Sequence, residues 1–288
     1  MKNLIRLQDL SVKEINDILD TAQDIIDHKN NDKLDNKIVA NLFFEPSTRT
    51  HYSFNTAEHK LNCKVLNFAP ESSSMNKGET FYDTIKVFES FGVDALVIRH
   101  KKDFWYKELL GKIDIPIINA GDGKMDHPTQ TLLDLLTIKQ EFKTLKGLKV
   151  LICGDIAHSR VAHSNYECMT KMGMEVYFSA PKNLQDPQYQ YVDFDEYLPK
   201  VDVVNMLRIQ NERLEEGLNV QSNYNEQFGL NSKRVSSMKN NAIIIHPAPF
   251  NRNVEINDDV VECKHSRIFR QIQNGVFIRM AVLLRSLK

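Results

Sequence analysis

Short apolar runs without clean alternation are the feature that most constrains how this chain folds. Most contain four to six apolar residues, and amphipathic stretches such as FYDTIKVFESFG and AHSNYECMTKMG separate them. Continuous apolar runs are typical of parallel strands that are buried on both faces. Strands that alternate with helices predict an α/β fold of the doubly wound kind.

The runs fall into two groups of four. The first group is KIVANLFFE, KVLNFA, DALVIRH and IPIINAG, and the second is KVLICGD, EVYFSA, VDVVNML and AIIIHPAP. The groups meet around the helical pattern TLLDLLTIKQEFKTLKG, which ends at Gly147. At roughly 150 residues per domain, a chain of 288 residues is long enough for two domains. We therefore predict two doubly wound domains, each with a mainly parallel sheet of four to five strands flanked by helices.

Charge and apolar patterning argue against several classes of protein. The formal net charge of -1 is unlike that of a general nucleic-acid binder, which usually has a basic excess on one face. The N-terminal stretch MKNLIRLQDLSVKEINDILD lacks the apolar core of a signal peptide, and no stretch reaches about 18 apolar residues. We expect a cytoplasmic protein that binds neither nucleic acid nor a membrane.

The positions of the cysteines predict neither disulfide bonds nor a metal site. Cys63, Cys153, Cys168 and Cys263 are far apart in the chain and form no CxxC pair. Buried free thiols are the expected state of such residues.

The residues that follow the apolar runs are the candidates for binding and chemistry. Ligands of open α/β sheets bind beyond the carboxyl ends of the strands, close to helix N-termini. The clusters at these positions are Pro46–Thr50, Arg99–His100, His127–Gln130, Asp155–Arg160, Arg208–Gln210 and His246–Pro249, and four of the six contain an arginine.

Ser47, Thr48, Arg49 and Thr50 stand where a strand gives way to a helix. Ser47 is a favourable N-cap, and the backbone N–H groups after it have no partner inside the helix. Such a turn presents donors and a positive dipole end to an anion, and Arg49 adds a planar fork that matches phosphate oxygens. The residues alone leave two interpretations open: a phosphate cradle, or a capped surface helix with a solvated arginine.

Three other segments are ambiguous when each is taken alone. His127 precedes Pro128, which suits the first position of a helix, so the histidine ring is expected at a helix N-terminus. A histidine there is more often structural than catalytic. The loop SSSMNKGET is typical of a mobile surface segment, and GDIAHSR lacks the GxGxxG pattern of a dinucleotide site.

Together the motifs resemble the aspartate/ornithine carbamoyltransferase family over nearly the whole chain. The patterns S-T-R-T, H-P-T-Q and H-P-x-P occur in the family's order. KGET, R-x-Q and HPAP favour the aspartate branch, because the ornithine branch is expected to carry H-C-L-P and an S-M-G loop. The resemblance implies transfer of the carbamoyl group of carbamoyl phosphate to L-aspartate in pyrimidine biosynthesis, with no cofactor and no metal.

The same resemblance implies the roles of individual residues. Carbamoyl phosphate would be bound by Ser47, Thr48, Arg49, Thr50, Arg99, His127 and Gln130, with His127 and Thr50 donating to the carbonyl oxygen. Aspartate would be bound by Arg160, Arg208, Gln210, Ala248 and Pro249, with the two arginines on its carboxylates. The family often has leucine at the position of Ala248, where only the backbone carbonyl is used. The Ala248–Pro249 peptide bond is expected to be cis.

The resemblance also implies an assembly. Lys77 and Ser73, with Ser74 as the rival of Ser73, would reach into the active site of a neighbouring subunit, so we expect a homotrimer with shared sites. There Ser73 would bind carbamoyl phosphate, and Lys77 would bind both substrates and take part in catalysis. Residues 1–130 and the C-terminal helix 271–288 would bind carbamoyl phosphate, and residues 131–270 would bind aspartate, with the active site in the cleft between them. The polar segment 210–235 would close over aspartate. Whether regulatory chains bind this trimer is left open by the sequence.

Three alternative functions share part of this pattern. The first is an enzyme that uses the same donor with ornithine as the acceptor. The second is a non-catalytic α/β protein that holds phosphate metabolites. A dinucleotide oxidoreductase is the third and has the least support from the motifs.

Overall fold

The computed structural model of the chain describes residues 2–209 and 221–288. Contacts divide it into two compact units, Met1–Leu136 with Asn274–Lys288 and Thr137–Gln273. Each unit contains one sheet of four parallel strands with helices in the connections. The predicted fold class, two doubly wound α/β sheets, is therefore confirmed.

The first unit is built on strands β1 (Ile38–Phe43), β2 (Lys64–Phe68), β3 (Ala95–His100) and β4 (Ile117–Asp122), in the order β2-β1-β3-β4. Its helices are α1 (Val12–Ile26), α2 (Thr48–Lys60), α3 (Phe81–Ser90), most of α4 (Pro128–Phe142) and the greater part of α9 (Ile268–Leu287). Strands β1, β3 and β4 are buried almost throughout, as their continuous apolar runs predict.

The second unit repeats the arrangement. Its strands are β5 (Lys149–Cys153), β6 (Glu175–Ser179), β7 (Val203–Met206) and β8 (Ile243–Ile245), in the order β6-β5-β7-β8. Its helices include α5 (Arg160–Lys171), α6 (Phe194–Tyr197), α7 (Gln221–Phe228) and α8 (Ser232–Val235). The core between sheet and helices contains Leu151, Val204 and Ile244 from the strands and Leu198, Leu230 and Val260 from the connections.

Local signals explain where the helices begin. Ser11 and Glu14 form a capping box at the start of α1, in which each side chain accepts a hydrogen bond from the backbone of the other. Thr80 caps α3 by accepting from the backbone of Asp83. Pro128 is the first residue of α4, as predicted.

The strand order reverses at the same place in both sheets. The chain runs from β1 outward to β2 and then returns to β3 on the other side of β1, and it does the same from β5 through β6 to β7. Such a reversal opens a crevice at the carboxyl ends of the two central strands, where ligands of this fold class bind. Ligand-binding residues are therefore expected in the segments after β1, β3, β5 and β7.

Two local predictions differ from the structure. Strand β2 lies at the edge of its sheet and exposes Lys64, Leu66 and Asn67, so it is not buried on both faces. Strand β4 lies at the other edge but is buried, and the N-terminal segment at Leu4 pairs with it, so an edge position alone does not expose a strand. The C-terminal helix begins at Ile268 rather than at 271. In the polar segment 210–235, residues 221–228 and 232–235 are helical.

All four cysteines are free thiols, but they are not equally buried. Cys63, Cys153 and Cys168 are buried as predicted, whereas Cys263 is only partly buried. Burial raises the pKa of Cys63 to about 11. It raises the pKa of Cys153 and that of Cys168 to about 12.

Candidate functional site

The predicted site residues form one cluster in each unit. The N-terminal cluster consists of Ser47–Thr50 after β1, Arg99 at the end of β3, and His127 and Gln130 at the start of α4, which comes after β4. The C-terminal cluster consists of Arg160 after β5, Arg208 after β7, and Ala248 and Pro249 after β8. Because β1, β3 and β4 are neighbours, as are β5, β7 and β8, the sheet topology gathers the members of each cluster at one edge.

Helix α2 begins at the turn that contains Ser47–Thr50. Ser47 occupies the N-cap position as predicted, but its hydroxyl makes no capping hydrogen bond. Thr48 and Arg49 are exposed, and Thr50 is buried. The first turn contains no acidic residue that would neutralise the positive end of the helix dipole. The turn can therefore offer backbone donors and a guanidinium to an anion.

Arg99 is the buried cation of the N-terminal cluster. It is the penultimate residue of β3 and comes directly after the apolar residues of the strand. Its guanidinium forms an ion pair of 2.8 Å with Glu45 and donates to the carbonyl oxygen of Ala120 at 3.3 Å. Glu45 was not among the predicted site residues. Its carboxylate orients the guanidinium and competes with any anion that approaches it.

Gly121 provides the space that Arg99 occupies. The backbone of Gly121 has a φ of +145°, and a Cβ atom at this position would lie 2.8 Å from Nη1 of Arg99. The pairing of β3 with β4 also shifts register between Ile98 and Arg99. A glycine inside an apolar strand pattern is the one sequence signal that indicates such a close approach.

The start of α4 presents His127 and Gln130, both of which are buried. The side-chain amide of Gln130 donates through Nε2 to Asp134 Oδ1 at 2.8 Å, and both residues lie in the interior. This bond turns the amide so that Oε1 is the atom left to accept a hydrogen bond from a ligand. Asp134 was not predicted, although its spacing of four residues from Gln130 places both side chains on one face of the helix.

Ser73 and Lys77 lie on a short 3₁₀ turn after β2. The Ser73 hydroxyl donates to the carbonyl oxygen of Pro70 at 2.7 Å and accepts from the backbone of Met75 at 3.4 Å. Ser74 and Lys77 are exposed on the same turn, Ser74–Lys77. The Ser73 hydroxyl thus has local partners, whereas Ser74 faces solvent, and which of them contributes to a neighbouring subunit stays a prediction.

In the C-terminal cluster, a close backbone approach holds Arg160 and Arg208 on adjacent segments. Gly154 comes after β5 with a φ of +140°, and a Cβ atom there would lie 2.5 Å from the carbonyl oxygen of Leu207. The backbone of Leu207 in turn donates to the carbonyl oxygen of Cys153 at 2.7 Å. Arg208 follows this contact directly, and Arg160 begins α5, with both arginines partly buried. Two cations therefore lie at the carboxyl ends of neighbouring strands.

The turn His246–Pro249 has a fixed backbone. The Ala248–Pro249 bond is cis, as predicted, and Ala248 has a φ of +51°. The backbone N–H of Ala248 donates to Nδ1 of His246 at 2.9 Å. The proton of the neutral ring is therefore on Nε2, which lies 3.4 Å from the buried carboxylate of Glu255. His246 belongs to the predicted cluster His246–Pro249, whereas Glu255 was not predicted; the contact of His246 with the Ala248 backbone helps to fix the turn.

A buried carboxyl group lies on the inner face of α2. Glu58 accepts a hydrogen bond from Nδ2 of Asn41 on β1 at 2.8 Å. Asn41 also donates to Asn67 on β2, and Oδ1 of Asn67 lies 2.8 Å from the ring of His51. Burial raises the pKa of Glu58 to about 7, although the hydrogen bond from Asn41 opposes the shift. This network joins the helix of the Ser47–Thr50 turn to two strands.

Gln210, predicted to bind aspartate, lies outside the described residues. Across residues 2–209 and 221–288, no group of three histidine, cysteine, aspartate or glutamate side chains is placed to hold a metal ion. Nor does this part of the chain contain a helix that is long and apolar enough to cross a membrane.

Comparison with known families matches both halves of the chain. Residues 2–140 match the carbamoyl-P binding domain of aspartate/ornithine carbamoyltransferases. Residues 146–285 match the Asp/Orn binding domain of the same family.

Solved structures give the same result at substantial sequence identity. The aspartate transcarbamoylase of Trypanosoma cruzi in complex with aspartate and phosphate is 32% identical with a TM-score of 0.91, and the match covers 100% of this chain and 97% of that one. Its complex with N-(phosphonacetyl)-L-aspartic acid gives 33% identity and a TM-score of 0.91, with 100% and 96% covered. The catalytic subunit of M. jannaschii aspartate transcarbamoylase is 35% identical, with a TM-score of 0.88 and 100% and 98% covered.

Proposed function

The chain belongs to the aspartate/ornithine carbamoyltransferase family, and we propose that it transfers the carbamoyl group of carbamoyl phosphate to the amine of L-aspartate. The products are N-carbamoyl-L-aspartate and phosphate. The observation that carries the proposal is the gathering of Ser47–Thr50, Arg99, His127 and Gln130 at the carboxyl edge of one parallel sheet. Helix starts, hydroxyls and cations at one edge suit the phosphate group of an acyl phosphate such as carbamoyl phosphate.

The residues of the N-terminal cluster divide between the two ends of carbamoyl phosphate. Arg49, Arg99 and the first turn of α2 bind the phosphate group. Thr50 and His127 donate to the carbonyl oxygen, where negative charge grows during the reaction. Gln130 accepts from the carbamoyl NH₂ through Oε1, because its own NH₂ group is engaged by Asp134.

The chemical step needs no nucleophilic side chain, because the substrate carries its own leaving group. The amine nitrogen of aspartate attacks the carbamoyl carbon, and the bond between that carbon and the bridging oxygen breaks. Phosphate departs and takes the proton that the amine loses. The protein contributes orientation of the two reactants and stabilisation of the developing oxyanion.

The choice of aspartate over ornithine rests on the C-terminal cluster. Arg160 and Arg208 supply two cations on adjacent segments, which suits a dicarboxylate and repels a second ammonium group. The carbonyl of Ala248 faces the incoming amine, and Gln210 completes the set. The similar T. cruzi enzyme has been solved with carbamoyl phosphate and aspartate bound together.

The finer assignments come from the family. Residues 1–130 with the C-terminal helix 271–288 bind carbamoyl phosphate, residues 131–270 bind aspartate, and the segment 210–235 closes over the acceptor. The enzyme acts in de novo pyrimidine biosynthesis in the cytoplasm. It works as a homotrimer in which Lys77 and Ser73 act in the active site of the neighbouring subunit.

A transfer assay tests the reaction itself. Carbamoyl phosphate is offered with L-aspartate and with L-ornithine in parallel, and the ureido product is measured. Product with aspartate alone is the expected result. Product with ornithine alone would overturn the acceptor assignment and keep the donor assignment. No product with either acceptor would indicate a protein that only binds phosphate metabolites.

Subunit mixing tests the shared site. Lys77→Ala and Arg49→Ala homo-oligomers should each be inactive. If Lys77 acts in a neighbour's site, mixed oligomers contain some sites in which neither substitution is present, and activity returns. Mixtures of Arg49→Ala with Thr50→Ala serve as the control, because both residues belong to the same subunit's cluster. No recovery in the first mixture would refute sharing.

A further inference from the structure

Arg279 is a buried cation that the proposed mechanism does not use. It lies on α9 with 3% of its surface exposed. Its guanidinium donates to the Ser53 hydroxyl at 3.0 Å, the Gly275 carbonyl at 2.8 Å and the Thr129 hydroxyl at 3.3 Å. These partners are all neutral. Among residues 2–209 and 221–288, no carboxylate forms an ion pair with Arg279, and its Nε–H has no hydrogen-bond partner.

The partners of Arg279 place it behind the N-terminal cluster. Ser53 is on α2, three residues after Thr50 and on the same face of the helix. Thr129 is the second residue of α4, between His127 and Gln130. The guanidinium also lies over the ring of Phe54, 5.0 Å from its centroid. One side chain thus joins the first turn of α4 to the second turn of α2, and these two helices present the phosphate-binding and carbonyl-binding groups.

Gly275 preserves the space for this side chain. Gly275 lies inside α9, where glycine weakens a helix relative to alanine. A Cβ atom at Gly275 would lie 2.6 Å from Nη1 of Arg279. Gly275 therefore lowers the intrinsic stability of α9, but it leaves room for the guanidinium of Arg279 beside the helix backbone.

The charge of Arg279 is unfavourable in the empty protein. A buried cation without a counter-ion loses hydration and gains no compensating ion pair. Burial, together with the positive charge of Arg99, lowers the pKa of Arg279 to about 9, so the group is still charged at neutral pH. An anion bound at the N-terminal cluster would supply the missing negative charge.

We propose that Arg279 is a positioning residue for the phosphate of carbamoyl phosphate: it aligns the starts of α2 and α4 and holds an uncompensated charge that phosphate binding relieves. The inference rests on the proposed function, because it takes the N-terminal cluster as the phosphate site. It differs from a structural tie in the sign of its effect on stability. A residue with a purely structural role stabilises the empty protein. Arg279 instead destabilises the empty protein, and phosphate binding offsets the cost of its buried charge.

Three variants separate the two roles. Arg279→Met removes the charge and keeps the volume, Arg279→Lys keeps the charge, and Arg270→Met removes an exposed arginine of the same helix as a control. For each protein, the thermal midpoint is measured without ligand and with inorganic phosphate. The KM values for carbamoyl phosphate and aspartate and the kcat are measured in parallel.

We expect Arg279→Met to unfold at the wild-type temperature or higher without ligand, and to bind inorganic phosphate about tenfold more weakly. Its midpoint should therefore rise less with phosphate than that of the wild type. The KM for carbamoyl phosphate should rise about tenfold while the KM for aspartate stays near the wild-type value. Arg279→Lys should recover most of the phosphate affinity, and Arg270→Met should match the wild type.

A lower midpoint or failure to fold of empty Arg279→Met, or a rise with phosphate equal to that of the wild type, would overturn the inference. So would a wild-type protein whose midpoint does not respond to phosphate. A wild-type protein that responds to phosphate but transfers no carbamoyl group would refute the proposed function alone. A wild-type enzyme that transfers carbamoyl normally beside an unaffected Arg279→Met would refute this inference alone.

Discussion

The two clusters use the same sheet topology with different parts of the chain. The N-terminal cluster relies on helix starts and short hydroxyl side chains, with Arg99 held by Glu45. The C-terminal cluster relies on two partly buried arginines and on a backbone turn fixed by His246. A phosphate group is compact and matches converging backbone donors, whereas two separated carboxylates need side chains that can reach them. One architecture can therefore recognise either shape of anion, depending on the residues placed at the carboxyl ends of its strands.

Substitution of one arginine from each cluster should separate the two substrates most strongly. We expect Arg49→Ala to lower kcat/KM by about 10³-fold, since a charge-assisted contact to the phosphate is lost in the transition state. Arg208→Ala should raise the KM for aspartate by a similar factor and leave stabilisation by inorganic phosphate unchanged. Arg49 is exposed, so its variant should keep the wild-type thermal midpoint. If both variants lost stabilisation by inorganic phosphate to the same extent, the assignment of the two clusters to different substrates would be wrong.

Two glycines with similar backbone angles give a second test of the comparison. Gly154→Ala should destabilise the protein by about 3 kcal/mol or more, because the new Cβ meets the Leu207 carbonyl in the backbone. Gly121→Ala should cost about 1–2 kcal/mol, because the new Cβ meets the movable end of Arg99 instead. Its larger effect should be on the KM for carbamoyl phosphate. Urea unfolding and steady-state kinetics measure the two effects, and a reversed order of stabilities would contradict this account.

The buried carboxyl of the first unit should give an effect on stability that depends on pH. The folded-state pKa of Glu58 is raised to about 7, above its value in the unfolded chain. Stability is therefore lost as pH rises from about 4.5 to about 7, where the unfolded chain ionises and the folded one resists. Glu58→Gln removes this loss and keeps the hydrogen-bonding shape, so it should stabilise the protein by at most about 3 kcal/mol at pH 8.5.

At pH 4.5 the Glu58→Gln variant should lie close to the wild type, because the carboxyl is neutral in the folded state and only half ionised in the unfolded one, a difference of about 0.4 kcal/mol. Unfolding midpoints in urea at both pH values provide the measurement. Asp17→Asn, on the exposed face of α1, is the control and should change stability little at either pH. A stabilisation by Glu58→Gln that is equal at both pH values would show that ionisation is not the cause.

The strands, their grouping and the residues beyond their ends were predictable because they depend on local signals. Apolar runs and Pro128 at a helix start are each confined to a few residues. The cis bond before Pro249 was implied instead by the resemblance to a known family. The supporting contacts could not be predicted, because they join distant segments. Arg279 and Ser53 are 226 residues apart, and no periodicity of either segment relates them. The burial of β2 was misjudged for a similar reason, since an apolar run does not reveal which distant segments cover its strand.

Glycines inside or directly after regular elements were the available sign of these contacts. Gly121, Gly154 and Gly275 each interrupt or end an apolar pattern, and each adjoins a group that a Cβ atom would displace. Their positions could have been marked from the sequence as places of close approach. The identity of the approaching group, whether a guanidinium or a carbonyl, depends on the fold.

The four thiols differ in burial, so a reactive label can be attached to the native protein at one of them. Cys63, Cys153 and Cys168 are shielded and hard to ionise, so a maleimide dye added to the folded chain should attach at Cys263. A fluorophore or spin label can thus be placed at one known position without any engineered cysteine. The second unit carries a natural attachment point for spectroscopy.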